Sequence, residues 1–396
     1  MQNNLKAAVI GAGSTYTPEL IEGFIEFRDS LPFDNITLMD IDPRRLEITG
    51  GLAKRQLAAG GFGGEIVLTT DLDAALDGAN FIFGQIRVGQ MPARVLDEKI
   101  PLKYGVIGQE TTGAGGFMKA LRTVPVMLDI AGRIKRRSES GAWLINFSNP
   151  SGIIAEAVLN HADINMVGLC NAPVNMLRDL AEKAGSPVTD YEYLGLNHLS
   201  WVHSETAPFY PSYYLEYFEQ TAEKLRQCQA AEKTRGEVCM EIEERLFRQF
   251  ADVNLRHKPP ELMERGGALY STAAISAVNS IYNNKNEPHV ISAKNNGAVP
   301  FMAADDVVEI RCLLGRGGVT PLPVLNYNDY IINLMKTVKT YEKLTVQAAI
   351  QGSRKLALAA LQAHPLVGGV IDGERIAAMF DELLDAHEEF LTINKE

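Results

Sequence analysis

The stretch that most constrains the fold is Ala7-Ala8-Val9-Ile10, which ends on Gly11-Ala12-Gly13 and runs through Ser14-Thr15-Tyr16-Thr17-Pro18 into Glu19-Leu20-Ile21. It reads as a buried strand, a tight turn and a helix with proline near its start. The alternation then repeats. Asn35 to Met39 is a second strand, Pro43 to Ala59 a helix, Glu65 to Thr69 a strand, Asp71 to Leu76 a short helix, and Asn80 to Gly84 another strand. Further apolar runs at Trp143–Phe147 and Asn165–Leu169 continue the series. Strands alternating with helices predict a parallel sheet with right-handed crossovers.

The glycine turn lets backbone amides approach a pyrophosphate at a helix N-terminus. Tyr16 replaces the third glycine of the usual fingerprint, so the turn alone serves a structural role equally well. Asp40 adds weight. An acid at the tip of the second strand suits the ribose hydroxyls of NAD and repels the 2′-phosphate of NADP.

At 396 residues the chain is long enough for two intimately packed domains. The first is expected to span 1–170 and to hold the dinucleotide, and the second 171–396. The net charge of −11 argues against a nucleic-acid surface. A phosphorylated small molecule stays compatible with it, because local arginines or amides capture one phosphate inside an acidic protein. No secretory signal is visible, and no apolar run reaches the roughly 18–20 residues that cross a bilayer. Cys170, Cys228, Cys239 and Cys312 show no C-x-x-C spacing, which fits reduced thiols and a cytoplasmic location.

Chemistry-bearing residues gather at predicted strand ends. Arg87 and Arg94 follow the strand at 80–84, where they either face a ligand or are solvated. Glu110 is the single charged member of the glycine-dense loop 105–116, expected to wrap a ligand ahead of a helix over 119–135. It is either an acid/base group or a loop-capping carboxylate. Asn149 lies past the tip of the strand at 143–147. Cys170 and His198, 28 positions apart, each end a short apolar run. Thiol and imidazole are good ligands for a divalent transition metal, and both also occur as ordinary core residues. The charged stretch 213–250 reads as solvated helix faces. Helices are expected over 328–361 and 374–390.

Several blocks are sharper together than alone. Gly11-Ala-Gly-Ser-Thr-Tyr-Thr-Pro-Glu-Leu20, Gly108-Gln-Glu-Thr-Thr-Gly113, Asn146-Phe-Ser-Asn-Pro150, Cys170-Asn-Ala-Pro173, Gly195-Leu-Asn-His198 and Arg265-Gly-Gly-Ala-Leu-Tyr-Ser271 resemble the family-four glycoside hydrolases. The Cys-Asn-x-Pro form is most similar to the 6-phospho-β-glucosidases. The resemblance implies a Rossmann-type doubly wound α/β sheet, lactate/malate-dehydrogenase-like, with an intertwined C-terminal α+β catalytic domain. It also implies NAD, a divalent metal, usually Mn2+, and a homodimer or homotetramer.

By the same match Cys170 and His198 would ligate the metal, and Gly11, Gly13, Ser14, Thr15 and Asp40 would hold the cofactor. Tyr270 would be the base, tuned by Glu110, while Arg94, Asn149, Asn171 and Arg265 would face the substrate. The implied reaction oxidises C3 of a phosphorylated glycoside and removes the C2 proton. The C1 substituent then leaves, water adds, and the hydride returns; the family is an exception to two-carboxylate hydrolysis. A plain NAD-dependent dehydrogenase or epimerase, or a glycosidase of unphosphorylated substrates, is the alternative expectation.

Overall fold

The computed structural model describes residues 5–266, 270–391 and 393, with the side chains of Tyr270 and Thr272 outside that description. Among the described residues twelve strands form one sheet: β1 Leu5–Ile10, β2 Phe33–Met39, β3 Glu65–Thr69, β4 Phe81–Gly84, β5 Trp143–Asn146, β6 Asn165–Gly168, β7 Glu192–Leu196, β8 Leu199–Ser204, β9 Ala207–Pro211, β10 Glu287–Lys294, β11 Val307–Gly315 and β12 Gly318–Pro321. Their order is β3-β2-β1-β4-β5-β6-β10-β11-β7-β8-β9, with β12 paired to β11.

The first six strands are parallel. Their 3-2-1-4-5-6 order is that of a doubly wound sheet, whose crevice opens where the order reverses between β1 and β4. The apolar runs are continuous because both faces are covered. Ala7, Val9, Phe81, Phe83 and Ile145 enter one apolar cluster, and their neighbours Ala8, Ile10, Ile82 and Leu144 enter another. Truncating a ring such as Phe83 in such a layer costs about 3–5 kcal/mol.

The remaining strands extend the same sheet in the antiparallel sense. Ser292 of β10 pairs with Gly168 of β6, and β10 and β11 pair from Glu287↔Leu314 to Lys294↔Val307. Helices from the second half return to the first. Tyr270–Tyr282 packs on Thr17–Glu26, and Asp329–Gln351 packs on Gly113–Arg137 and Ser151–His161. Among the described residues no helix is long and apolar enough to cross a membrane.

Some expectations need correction. The helix expected over 119–135 spans Gly113–Arg137, so the last glycines of the loop belong to its first turn. A Cβ on Gly115 would stand 2.3 Å from the Gln109 oxygen, and one on Gly116 2.3 Å from the Thr111 carbonyl carbon. These glycines bring the helix against its own preceding loop. The helix expected over 328–361 breaks at Gly352, which is left-handed at φ 63° and separates Asp329–Gln351 from Arg354–Ala363. The helix expected over 374–390 is Gly373–Ala386 followed by a single turn at Glu388–Phe390. The stretch 213–250 is helical for most of its length, as expected, in several helices of which the longest is Arg235–Phe250.

Candidate active site

A cleft of about 940 Å³ runs past the carboxyl ends of β1, β2, β4 and β5 to the β7–β8 turn. At one end the glycine turn sits on the tip of β2: the Gly11 and Ala12 amides donate to the Met39 oxygen at 2.9 and 2.8 Å. Gly11 has φ +88°, and a Cβ there would lie 2.8 Å from the Gln85 oxygen. Gly13 N donates to Asp40 Oδ2 at 2.7 Å and Asp42 N to Oδ1 at 2.9 Å. Burial raises the Asp40 carboxyl, and these amides and Arg45 oppose the rise. Ile41, Leu72 and Val126 make an apolar shelf beside it. A pinned acid beside a glycine cradle and an apolar shelf fits the adenosine half of a dinucleotide. Gly11, Gly13, Ser14 and Asp40 line the cleft, whereas Thr15 is fully buried and outside its wall.

Further in, charges concentrate around Glu110. Arg87 Nη2, Arg94 Nη1 and Lys119 Nζ lie 2.6, 2.8 and 2.6 Å from its carboxylate. Arg87 comes from the segment after β4, Arg94 from the helix Gln90–Lys103, and Lys119 from Gly113–Arg137. Burial alone would raise Glu110, but the charges of Arg87, Arg94 and Lys119 overcome it and hold the carboxyl well below its ordinary range. Burial, reinforced by Arg87, pushes Lys119 down to about 7. Arg94 also pairs with Glu98 at 2.8 Å. Arg265 pairs with Glu243 at 3.0 Å and lies over the Tyr16 ring at 5.3 Å. Arg45, Arg87, Arg94, Lys119 and Arg265 therefore outnumber Glu98, Glu110 and Glu243 here. The buried Arg87 Nη1 has no partner. This part of the cleft is built to receive an anion.

His198 also lines the cleft, whereas Cys170 is outside its wall and adjoins it through the lining residue Asn171. Cys170 follows β6, and its sulfur accepts the Ala172 amide at 3.4 Å. His198 occupies the two-residue turn between β7 and β8 with φ +66°, an uncommon conformation for a residue with a side chain of this size. Both are buried, at 8% and 5% exposure. The His198 tautomer follows from its hydrogen bonds. The Thr111 and Thr112 amides donate to Gln109 Oε1 at 2.6 and 2.8 Å, which fixes that amide's orientation. The Thr111 hydroxyl donates to the same oxygen at 3.0 Å and so accepts from His198 Nδ1, 2.5 Å away. The Nε2 lone pair is left free to bind a metal.

Asn197 hydrogen-bonds the Cys170 sulfur and donates to Glu309 Oε1 at 3.2 Å, while the Tyr193 hydroxyl donates to Oε2 at 3.0 Å. Burial, with the Glu309 charge, pushes the Cys170 thiol up to about 12, so it would become a thiolate only with a cation such as a metal ion beside it. No group of three His, Cys, Asp or Glu suited to a metal occurs among the described residues. One sulfur and one imidazole, with the remaining positions left to water and substrate oxygens, fit an open transition-metal centre.

Asn149 and Asn171 line the cleft, as do Arg94, Glu110 and Arg265. Tyr270 begins its helix, five residues past Arg265, and its side chain lies outside the described residues. Six contributors escape sequence reasoning: Tyr16, the tyrosines 213, 214 and 217, Glu243 and Glu309. Glu243 sits in the stretch read as solvated helix faces, yet it is buried against Arg265 from another segment. Glu309 carried a usable signal, a lone acid inside the apolar run Val307-Val308-Glu309-Ile310.

The sequence profile of the Family 4 glycosyl hydrolase matches residues 6–186, and that of the Family 4 glycosyl hydrolase C-terminal domain matches 203–367. A probable 6-phospho-beta-glucosidase of Bacillus subtilis is 37% identical over 99% of this chain and 98% of its own. The 6-phospho-beta glucosidase of Thermotoga maritima, solved with manganese, NAD+ and glucose-6-phosphate, superposes with a TM-score of 0.90 at 31% identity, covering 98% of this chain and 100% of that one. Malate dehydrogenase of Plasmodium falciparum, solved with NADH, shares the fold alone, with a TM-score of 0.55 at 14% identity over 88% of this chain and 99% of that one. The doubly wound sheet, the cleft at its switch point and these matches agree: the chain belongs to family 4 of the glycosyl hydrolases.

Proposed function

We propose that this protein cleaves 6-phospho-β-glucosides with NAD and Mn2+ as cofactors. The observation that carries the reading is His198, its imidazole set to the ligating tautomer, in one cleft with the Asp40 turn and the cationic surplus around Glu110, and Cys170 tied to its neighbour Asn197. Residues 1–170 serve as the NAD-binding unit and 171–396 as the metal- and substrate-binding unit. The enzyme works in the cytoplasm as a homodimer or homotetramer.

Gly11, Gly13, Ser14 and Asp40 hold the dinucleotide, without the buried Thr15, and Cys170 and His198 hold the metal. Together these cofactors supply a reversible hydride acceptor and a Lewis acid for the sugar hydroxyls. The protein's own groups position the sugar and move its proton. Arg94, Asn149, Asn171 and Arg265 face the substrate, and the positive charge around Glu110 receives its phosphate. Tyr270 removes the C2 proton. A phenol titrates near 10 and needs local positive charge to act as a base at neutral pH, which Arg265 supplies from the same segment. Glu110 stays ionised and acts through its charge, setting the positions of Arg87, Arg94 and Lys119. Asn171 cannot protonate a leaving group, so another residue or water meets that demand.

A panel of matched phosphorylated and free glycosides of both anomers, with NAD, Mn2+ and a reductant, tests this. Aglycone release from 6-phospho-β-glucosides without net NADH is expected. Net NADH without aglycone release would make the protein a dehydrogenase.

A further inference from the structure

Beyond the sugar site the cleft carries a wall of tyrosines that the reaction as described does not use. Tyr213, Tyr214 and Tyr217 all line it. The Tyr214 ring lies face to face on His198, with centroids 3.6 Å apart and planes 13° apart. Tyr213 leans on Tyr214 at 4.0 Å and 34°. The rings thus step from the proposed metal ligand outward, and the last of them is 52% exposed. This ladder is anchored at both ends. The Ser212 amide donates to the Ser200 oxygen of β8 at 2.9 Å, and Leu215 is buried in the main core. A large aromatic surface held rigidly at a cleft mouth loses little freedom when something stacks on it.

We propose that Tyr213, backed by Tyr214, is the platform that receives the aglycone and selects planar, aromatic leaving groups. This rests on the proposed glycosidase reading, and the orientation follows from charge. The phosphate goes to the cations around Glu110, and the ring hydroxyls go to the cofactor and to the Cys170–His198 side. The C1 substituent is then left facing the wall that bears no formal charge. Aromatic stacking favours a flat ring over an alkyl group by a few-fold to about tenfold.

The test compares phenyl and methyl β-glucoside 6-phosphate in the wild type, Tyr213→Ala and Tyr213→Phe. It reads kcat/KM in the NAD- and Mn2+-loaded enzyme, and Kd by calorimetry with NAD left out. The wild type should favour the phenyl glycoside in Kd. Tyr213→Ala should lower that preference by a few-fold to about tenfold in both readings, and Tyr213→Phe should keep it. Equal losses for the two glycosides, or an unchanged ratio, overturn the platform. So does a change of subunit number in Tyr213→Ala without a change of ratio, which would make this face an interface between copies. If the wild type cleaves neither compound, the glycosidase reading fails, and the Kd ratio still decides whether Tyr213 binds aromatic rings.

Discussion

Thr111 sets the tautomer of His198. Its hydroxyl is committed as a donor to Gln109 Oε1 at 3.0 Å, so its oxygen accepts the proton on His198 Nδ1, 2.5 Å away. Groups that orient a metal-binding imidazole typically change metal affinity 10- to 100-fold when removed. Thr111→Val keeps the shape and deletes the acceptor. Co2+ titration followed by absorbance should show affinity falling by about that factor. Unchanged Co2+ affinity would mean that the hydrogen bond does not orient the ring for a metal.

The Lys119 ammonium is held near neutrality by burial and by Arg87, at about 7. It is charged below that pH and neutral above it. A sugar phosphate is already mostly dianionic above about pH 6, so any loss of affinity from pH 6.5 to 8.5 comes from the protein. Glucose 6-phosphate binding, measured by calorimetry, should weaken several-fold across that range. Lys119→Arg stays charged throughout and should flatten the profile. A wild-type profile as flat as that of Lys119→Arg would exclude Lys119 from the phosphate site.

How far the sequence announces this site depends on what each residue packs against. The strands β1 to β6 are legible because both faces are buried, which makes their apolar runs continuous. The antiparallel half is harder. Strand β10, Glu287 to Lys294, contains a proline and three charged or imidazole side chains, and its identity comes from pairing with β11. The helix carrying Arg94 contains Pro101, which breaks the usual helical signal. Glu243 looks like any other acid on a charged helix until the fold brings Arg265 and Arg45 to it. Motif residues such as Cys170, His198 and Asp40 stand at strand ends and need no such information. The tyrosines 213, 214 and 217 carry no spacing signal, and their role depends on where the Ser212–Ser200 bond sets the turn.

Glu110 neutralises three cations that are otherwise packed together. Its carboxyl is held below the ordinary value of 4.5, so its contribution is present above that pH and is lost as pH falls through the depressed folded value. Glu110→Gln leaves Arg87 and Arg94 in mutual repulsion and strips Lys119 of the charge that helps hold its proton, and should cost about 3 kcal/mol. Calorimetric melts at pH 7 should show a lower Tm than wild type, partly restored by sulfate, which places an anion among the same cations. A melt unchanged by the substitution would show that the cluster does not depend on this carboxylate.

Asp40 gives the sharpest test of the cofactor assignment. Its two oxygens accept the Gly13 and Asp42 amides at 2.7 and 2.9 Å, so the carboxylate is fixed at the tip of β2 and cannot swing away from an incoming ribose. A 2′-phosphate placed there would meet a fixed negative charge, whereas 2′ and 3′ hydroxyls would meet an acceptor. Asp40→Asn keeps an acceptor and removes the charge. Arg45, whose Nε donates to the Gly13 oxygen at 3.1 Å, then stands at the turn without the Asp40 charge beside it and favours a phosphate. Fluorescence titration should show NAD binding weakened and NADP binding strengthened, shifting their ratio about tenfold or more, since one paired or repelled charge is commonly worth that much. An unchanged ratio would mean that the ribose is read elsewhere in the cleft and that Asp40 serves to hold the Gly11–Gly13 turn.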